Sequence, residues 1–304
     1  PDYQAFVNRY LIDSDQYQAQ LAELLSTFTF DDASLTDIAK FQSLPLPIQR
    51  QFIFNAFFNE LKASGVQAAN TNNQDYSRGF DAINTLFPDS LDEASGAGGD
   101  LNMLLSRIAT LDGGGITLIV PRGAINAGVA DTSALTKTAD QLGIVVQRSG
   151  DIQAYVRGDL LVNQSRVFTL DGGNILIWSS QGNIDAGRGA KTAIAAPPPL
   201  VTFDDKGQIT LVFPPAIAGS GIRAAVTTPG KPPGDVFLFA PKGIVNAGDA
   251  GIGSEGNLTV GAVRVVGADN IDVGGPSVGV PVADTSGLAA ALTALSNVPG
   301  DVTK

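Results

Sequence analysis

Residues 114–128 read GGITLIVPRGAINAG, residues 173–187 read GNILIWSSQGNIDAG, and residues 234–248 read GDVFLFAPKGIVNAG. Each phrase opens on Gly and runs through an apolar or alternating stretch. Each places a second Gly at Gly123, Gly182 or Gly243, and closes on Asn or Asp, Ala, and a final Gly at Gly128, Gly187 or Gly248. A phrase that returns in this form marks a repeat architecture, in which one short unit stacks on the next.

Weaker copies open at Gly99, Gly150, Gly207 and Gly256. Taken together, the starts predict a β-solenoid of about seven coils over residues 96–283, with insertions near 132–143 and 190–206. Coils of this kind bury their apolar faces against each other in one continuous core. Parallel stacking at about 4.8 Å per coil would give a rod of roughly 35 Å. Ile116, Leu118, Ile175, Ile177, Val236 and Leu238 occupy matching strand positions and are expected to point inward. The six repeated glycines are expected at corners, where Gly and Asn accept positive φ without strain.

Composition agrees. The chain has 304 residues, 35 of them Gly, with 44 % apolar and only 16 % charged residues. That suits many short strands with frequent turns and supplies a core. The net charge of −11 disfavours nucleic acid and anionic lipid as partners. There are no Cys and no His, so disulfides, thiolate metal sites and a His general base are all absent. The N-terminal PDYQAFVNRYL lacks a basic and then apolar leader pattern, so an export signal is expected to lie outside this chain.

Residues 1–95 read differently. Helices are expected over 14–26 with Ser14 as N-cap, over 33–43, from Pro47 through about residue 64, and over 77–90, with a polar link at 66–75. Ile48, Phe52, Ile53, Ala56, Phe57 and Leu61 fall on one helical face. The expected role is a subdomain that packs on the first coils and covers their open end, as solenoids need, with a ligand-binding module as the alternative. Residues 284–304 read as a short helix and tail or linker.

Arg157-Gly158-Asp159 spells a cell-adhesion tripeptide. Counting from Gly150, Gly158 falls at the corner held by Gly123, Gly182 and Gly243, and Arg157 matches Arg122, Gln181 and Lys242. The tripeptide is therefore accounted for by the repeat itself, with an adhesive corner as its alternative use.

Catalytic motifs are weak. Residues 275–279, GPSVG, match a nucleophile elbow, but Pro276 and the absence of His oppose that role for Ser277. Gly219-Ser220-Gly221 lacks the third Gly of a dinucleotide loop. A polysaccharide-cleaving β-helix would need converging carboxylates, for which Asp185, Asp204, Asp205 and Asp249 are candidates, with Arg188, Lys191 and Lys242 as cations. Asp185 and Asp249 sit at corner phrases, where a short side chain bonds its own backbone. No catalytic, cofactor-binding or metal-binding residue is assigned.

The wording of residues 160–180, 180–199 and 234–252 resembles the C-terminal region of filamentous-haemagglutinin-like exoproteins, and residues 80–88 and 267–281 are similar to segments of the same region. The resemblance implies a right-handed parallel β-helix, to which the helices read from residues 1–95 add an α-helical N-terminal subdomain. It also implies a large surface or secreted protein of a Gram-negative bacterium, exported by two-partner secretion. The implied partners are an outer-membrane transporter barrel, engaged by a part of the protein outside this chain, a host or bacterial surface glycan or protein receptor, and further copies in fibres. The function expected is a rigid stalk or tip for adhesion, cell contact or biofilm matrix. The alternatives are a polysaccharide-binding or -cleaving β-helix, or the carrier portion of a contact-dependent toxin.

Overall fold

The computed structural model describes residues 1–281 except 33, 72, 93–97, 131–136, 138–140, 190–193, 196–199, 204–205 and 213–216. The expected tail at 284–304, and much of both expected insertions, lie outside the described residues.

From residue 101 onward the chain is mainly parallel β-sheet, wound so that equivalent strands of successive coils pair. One face carries β3 (Ile116–Val120), β6 (Ile152–Val156), β9 (Ile175–Ser179), the start of β16 (Val236–Asn246), the start of β18 (Leu258–Val266) and β20 (Ser277–Val278). A second face carries β1 (Leu101–Asn102), β4 (Ile125–Asn126), β7 (Leu160–Leu161), β10 (Ile184–Asp185) and the ends of β16 and β18. β16 and β18 run across the corner, which joins these faces in one 10-stranded sheet. The third face is a 6-stranded sheet of β2 (Arg107–Thr110), β5 (Gly143–Val146), β8 (Arg166–Leu170), β15 (Gly221–Ala225), β17 (Ile252–Ser254) and β19 (Ile271–Val273). This pattern is consistent with a β-solenoid.

The core is built from the repeated phrase. Ile116, Ile152, Ile175, Val236 and Leu258 are cross-strand neighbours, and so are Leu118, Ala154, Ile177, Leu238 and Val260. Nine of these ten are buried in one cluster, with Leu118 packed against it. The Ala of each closing phrase, Ala127, Ala186 and Ala247, is fully buried in the same cluster.

Two of the predicted coil starts are corrected. Gly207 opens no coil. β12 (Leu200–Phe203) and β13 (Ile209–Val212) form an antiparallel hairpin, and β9 pairs directly with β16. The insertion is thus longer than the Pro-rich run suggested. Gly99 leads into β1, which pairs with β4, so it corresponds to Gly123 and not to Gly114.

The helices also differ from expectation. α1 (Tyr3–Val7) continues into a π-helical turn at Asn8–Ile12 that the sequence reading did not anticipate. α2 is Gln18–Ser26, with Tyr17 at the N-cap position and no side-chain cap bond; Ser14 instead accepts from Gln16 N in the preceding turn. α3 is Asp37–Ser43, with Thr36 as N-cap. α4 runs from Leu46 to Thr71, into the first part of the expected polar link at 66–75, and α5 is Ser77–Leu86. Packing overrides the polar composition of 66–71: Gly65 and Ala68 are buried, and a Cβ on Gly65 would lie 2.4 Å from the Phe239 ring.

These helices cover the flank of the coils. Outward-facing Tyr155, Leu176, Trp178, Phe237 and Phe239 join one buried cluster with helical residues including Phe57, Phe58, Ile83 and Leu86. Tyr76 and Phe80 meet Trp178 edge-on, with ring centroids 5.8 Å apart in each pair. The helices therefore lie along the first face from β3 to β18, instead of over the open end. The physical reason is in the strands: ILIWS and VFLFA are apolar at inward and outward positions alike, so both sides need cover. Each favourable aromatic pair adds about 0.5–1.5 kcal/mol beyond the area it buries.

Gly79→Val should undock this layer, because a Cβ there would stand 2.4 Å from the Trp178 ring. As Trp178 is the single Trp, a red shift of its fluorescence with retained β-sheet circular dichroism is the expected result.

Candidate functional site

The corners are where functional side chains are most readily presented, and their geometry decides how free those side chains are. At the first corner, Gly99, Gly123, Gly158, Gly182 and Gly243 stack on one another. An added Cβ on Gly243 would lie 1.9 Å from Gly182 O, and one on Gly182 would lie 2.3 Å from the Gly158 carbonyl carbon. Positive φ is the reason only at Gly99 (φ +83°), and not at the four corner glycines that follow it. Of the six repeated ones, only Gly187 (φ +93°) and Gly248 (φ +55°) adopt it. At Gly123, Gly182 and Gly243 the constraint is the approach of the preceding coil, which leaves no room for a side chain, while at Gly158 a Cβ would be merely tight, 3.2 Å from Gly123 O.

The polar residues after the first-corner glycines, Asp100, Asp159 and Asn183, each accept from the backbone N–H at the same position of the following coil. Asp100 Oδ1 accepts from Ala124 N at 2.8 Å. Asp159 Oδ1 accepts from Asn183 N at 2.7 Å and Asn183 Nδ2 at 3.1 Å, and Asn183 Oδ1 accepts from Ile244 N at 2.9 Å. The corner that opens each coil repeats the device. Asp151 accepts from Asn174 N at 2.7 Å, Asn174 from Asp235 N at 2.9 Å, and Asp235 from Asn257 N at 2.7 Å. At the corner after the second face, Asp185 and Asn246 accept from Gly187 N and Gly248 N, two residues on, and Asn246 Nδ2 donates to Asp185 Oδ2 at 3.1 Å. The sequence reading missed these ladders. Their signal was the Gly-Asp or Gly-Asn pair opening successive coils at 150, 173, 234 and 256.

Arg157-Gly158-Asp159 is built into this frame. Gly158 N donates to Gly123 O at 2.9 Å, and Gly158 O accepts from Ser179 Oγ at 2.8 Å. Arg157 is half-buried, with its Nε shielded from solvent, and Asp159 carries the ladder bonds to Asn183. The tripeptide is part of the wall, with no projecting loop.

The candidate carboxylates do not assemble a centre. Asp185 is used by Gly187 and Asn246, Asp249 and Arg188 are exposed, and Lys242 turns back over the Phe80 ring at 5.6 Å. Asp204, Asp205 and Lys191 lie outside the described residues. Among the described residues, no three acidic side chains converge as a metal site would require. Ser277 lies on β20, a strand without a following helix among the described residues.

Two buried acids hold structure together. Asp171 accepts from Thr227 N and Thr228 N at 2.7 and 2.8 Å and from both hydroxyls, tying the corner after β8 to the loop after β15. Burial alone would raise its pKa, but these donors outweigh it and hold the carboxyl below the usual carboxylate range. Glu60 is 1 % exposed and pairs with Arg78 at 2.8 and 3.0 Å, while Tyr17 and Gln16 also donate to it. Burial, then the Glu60 hydrogen bond, drives the Tyr17 pKa strongly upward.

An open groove of about 550 Å³ lies between α4 and the coil-opening corner, lined by Arg50, Gln51, Phe54, Asn55, Thr117, Asp151 and Gln153 among others. It continues past Asp151 and Gln153 to Asn59, Lys62, Asn174 and Phe237.

Residues 172–282 match the family model described as "Filamentous haemagglutinin family outer membrane protein". The matched span begins just before β9 and continues through the hairpin insertion to β20. It contains the quoted segments 180–199, 234–252 and 267–281. No curated protein and no solved structure matches the chain. No helix among the described residues is long and apolar enough to cross a membrane.

Two outcomes follow from the corner geometry. Gly243→Ala should lower stability by about 1–3 kcal/mol or more, as overpacking does. Gly98→Ala, where a Cβ meets nothing within 4 Å, should be neutral in the same thermal melts. Asp171 gives a pH signature. Its folded pKa is depressed, so its stabilisation is present above the unfolded value near 3.8 and is lost as pH falls through and below it. The stability gap between wild type and Asp171→Ala should therefore close in acid, as measured by denaturation at pH 3 to 7.

Proposed function

We propose that this chain is a structural segment of a large bacterial surface or secreted fibrous exoprotein, a right-handed parallel β-helix serving as a rigid, non-enzymatic stalk or tip for adhesion, cell contact or biofilm matrix. One observation carries the reading. The parallel ladder continues from β1 to β20 around a single apolar core, over a span whose second part matches the filamentous haemagglutinin family model. Stiffness follows from that continuity, because bending the stack would break ladder hydrogen bonds and open the core at the same time. The helical subdomain on the flank adds a second buried layer to the same coils.

Export through an outer-membrane transporter barrel, engaged elsewhere in the protein, fits a chain with no Cys and thus no disulfide to block threading. A surface glycan or protein receptor and self-association into fibres are the partners of this reading. Arg157-Gly158-Asp159 serves as a corner in it, with no receptor contact.

Adhesion of bacteria displaying the chain to cultured epithelial cells tests the proposal. Wild type should raise adhesion over the undisplayed strain, and Asp159→Ala should leave it unchanged while lowering the melting temperature through loss of the Asn183 bonds. Loss of adhesion in an Asp159→Ala protein of wild-type stability would make the tripeptide a ligand. No gain in adhesion from wild type would remove the adhesive role.

A further inference from the structure

The groove beside α4 goes beyond the stalk reading. One wall is helical. Gln51, Asn55 and Asn59 are exposed, line the groove, and follow one another at intervals of four residues. Residues so spaced lie on one helix face, about 6 Å apart along the axis. None of the three carboxamides has a bonding partner among the described residues. The other wall is the coil-opening corner, with Thr117, Asp151, Gln153 and Asn174 held on successive coils.

We propose that this groove binds an extended, acidic polypeptide through its main chain. A carboxamide offers one acceptor and a pair of donors on adjacent atoms, which complements the C=O and N–H of a peptide unit. An extended chain repeats its main-chain edge every second residue, about 6.6–6.8 Å, close to the carboxamide interval of about 6 Å. Alternate side chains of such a ligand point the other way, and the half-buried Phe54 supplies apolar contact there. The charge preference comes from Arg50 and Lys62. They flank the carboxamide row, and each is stacked on a ring, Arg50 over Tyr3 at 5.3 Å and Lys62 over Phe237 at 4.1 Å. Neither has a carboxylate partner among the described residues, on a chain of net charge −11. Both walls are rigid, since the corner is laddered by Asp151 and Asn174 and α4 is buried on its opposite side through Ile53, Phe57 and Leu61. Rigid walls lower the ordering cost of binding.

Selection of phage displaying random 12-residue peptides against the whole chain tests this, with a glycan array run in parallel. The expected result is enrichment of Asp- and Glu-containing peptides. Their affinity should fall about tenfold or more in the triple variant Gln51→Ala, Asn55→Ala, Asn59→Ala, whose exposed substitutions leave the melting temperature unchanged. N-methylation at alternate residues of a selected peptide should abolish binding, and Arg50→Glu with Lys62→Glu should redirect selection toward basic peptides. Failure to enrich any peptide, equal binding to the triple variant, tolerance of N-methylation, or carboxamide-dependent binding to glycans in place of peptides would each overturn the proposal. None of these readouts depends on whether the chain mediates adhesion.

Discussion

Everything in the coiled part of this molecule depends on how closely successive turns of backbone approach at the corners. Strands can tolerate side chains because those side chains point into the core or away from it. At a first-corner position such as Gly182 the Cβ direction runs straight into the coil below, with Gly158 and Asp159 atoms within 2.3–2.7 Å of where it would stand. Glycine is the only residue that lets the stack close. Once it closes, the next residue's side chain is brought within reach of the adjacent coil's N–H, and Asp or Asn there converts a close approach into a hydrogen bond. The corner glycines and the acidic ladder are thus one device, and the core forms because that device holds the strands in register.

The same device limits what the corners can do as recognition elements. A recognition loop needs donors and acceptors that are free to meet a partner. In the stack, Gly158 and Asp159 are already engaged by Gly123, Ser179 and Asn183. Free polar groups are found instead where two different architectures meet, between a helix with one period and a corner with another. Gln51, Asn55 and Asn59 face that seam, and their intervals are set by α-helical geometry with no reference to the coil repeat.

The helical layer answers a separate constraint. A solenoid face can present polar side chains outward and stand alone. Here the column of Ile119, Tyr155, Trp178 and Phe239 is apolar on the outside, so that face is buried on both sides. Small residues on the helices, Gly65 against Phe239 and Gly79 against Trp178, let the aromatic rings sink into the helical layer. Buried polar anchors such as Glu60 with Arg78 and Tyr17 then fix the helices relative to one another.

The sequence by itself determined the parallel stacked-coil class, the inward strand residues and the corners of the three full repeat phrases. These are local properties, repeated in phase, and phase survives in the letters: GNILIWSSQGNID and GDVFLFAPKGIVN carry the same strand, corner and strand. Only the tertiary structure decided why the corner is Gly, since close approach and positive φ look identical in one letter. It also decided that Gly207 belongs to a hairpin, because ITLV spells a strand whether its partner is parallel or antiparallel. The place of the helices was likewise beyond local pattern. Tyr155 and Trp178 show that an outer face must be covered, yet which segment covers it depends on contacts between residues far apart in the chain. The groove exists only because of that choice, and no stretch of sequence contains both of its walls.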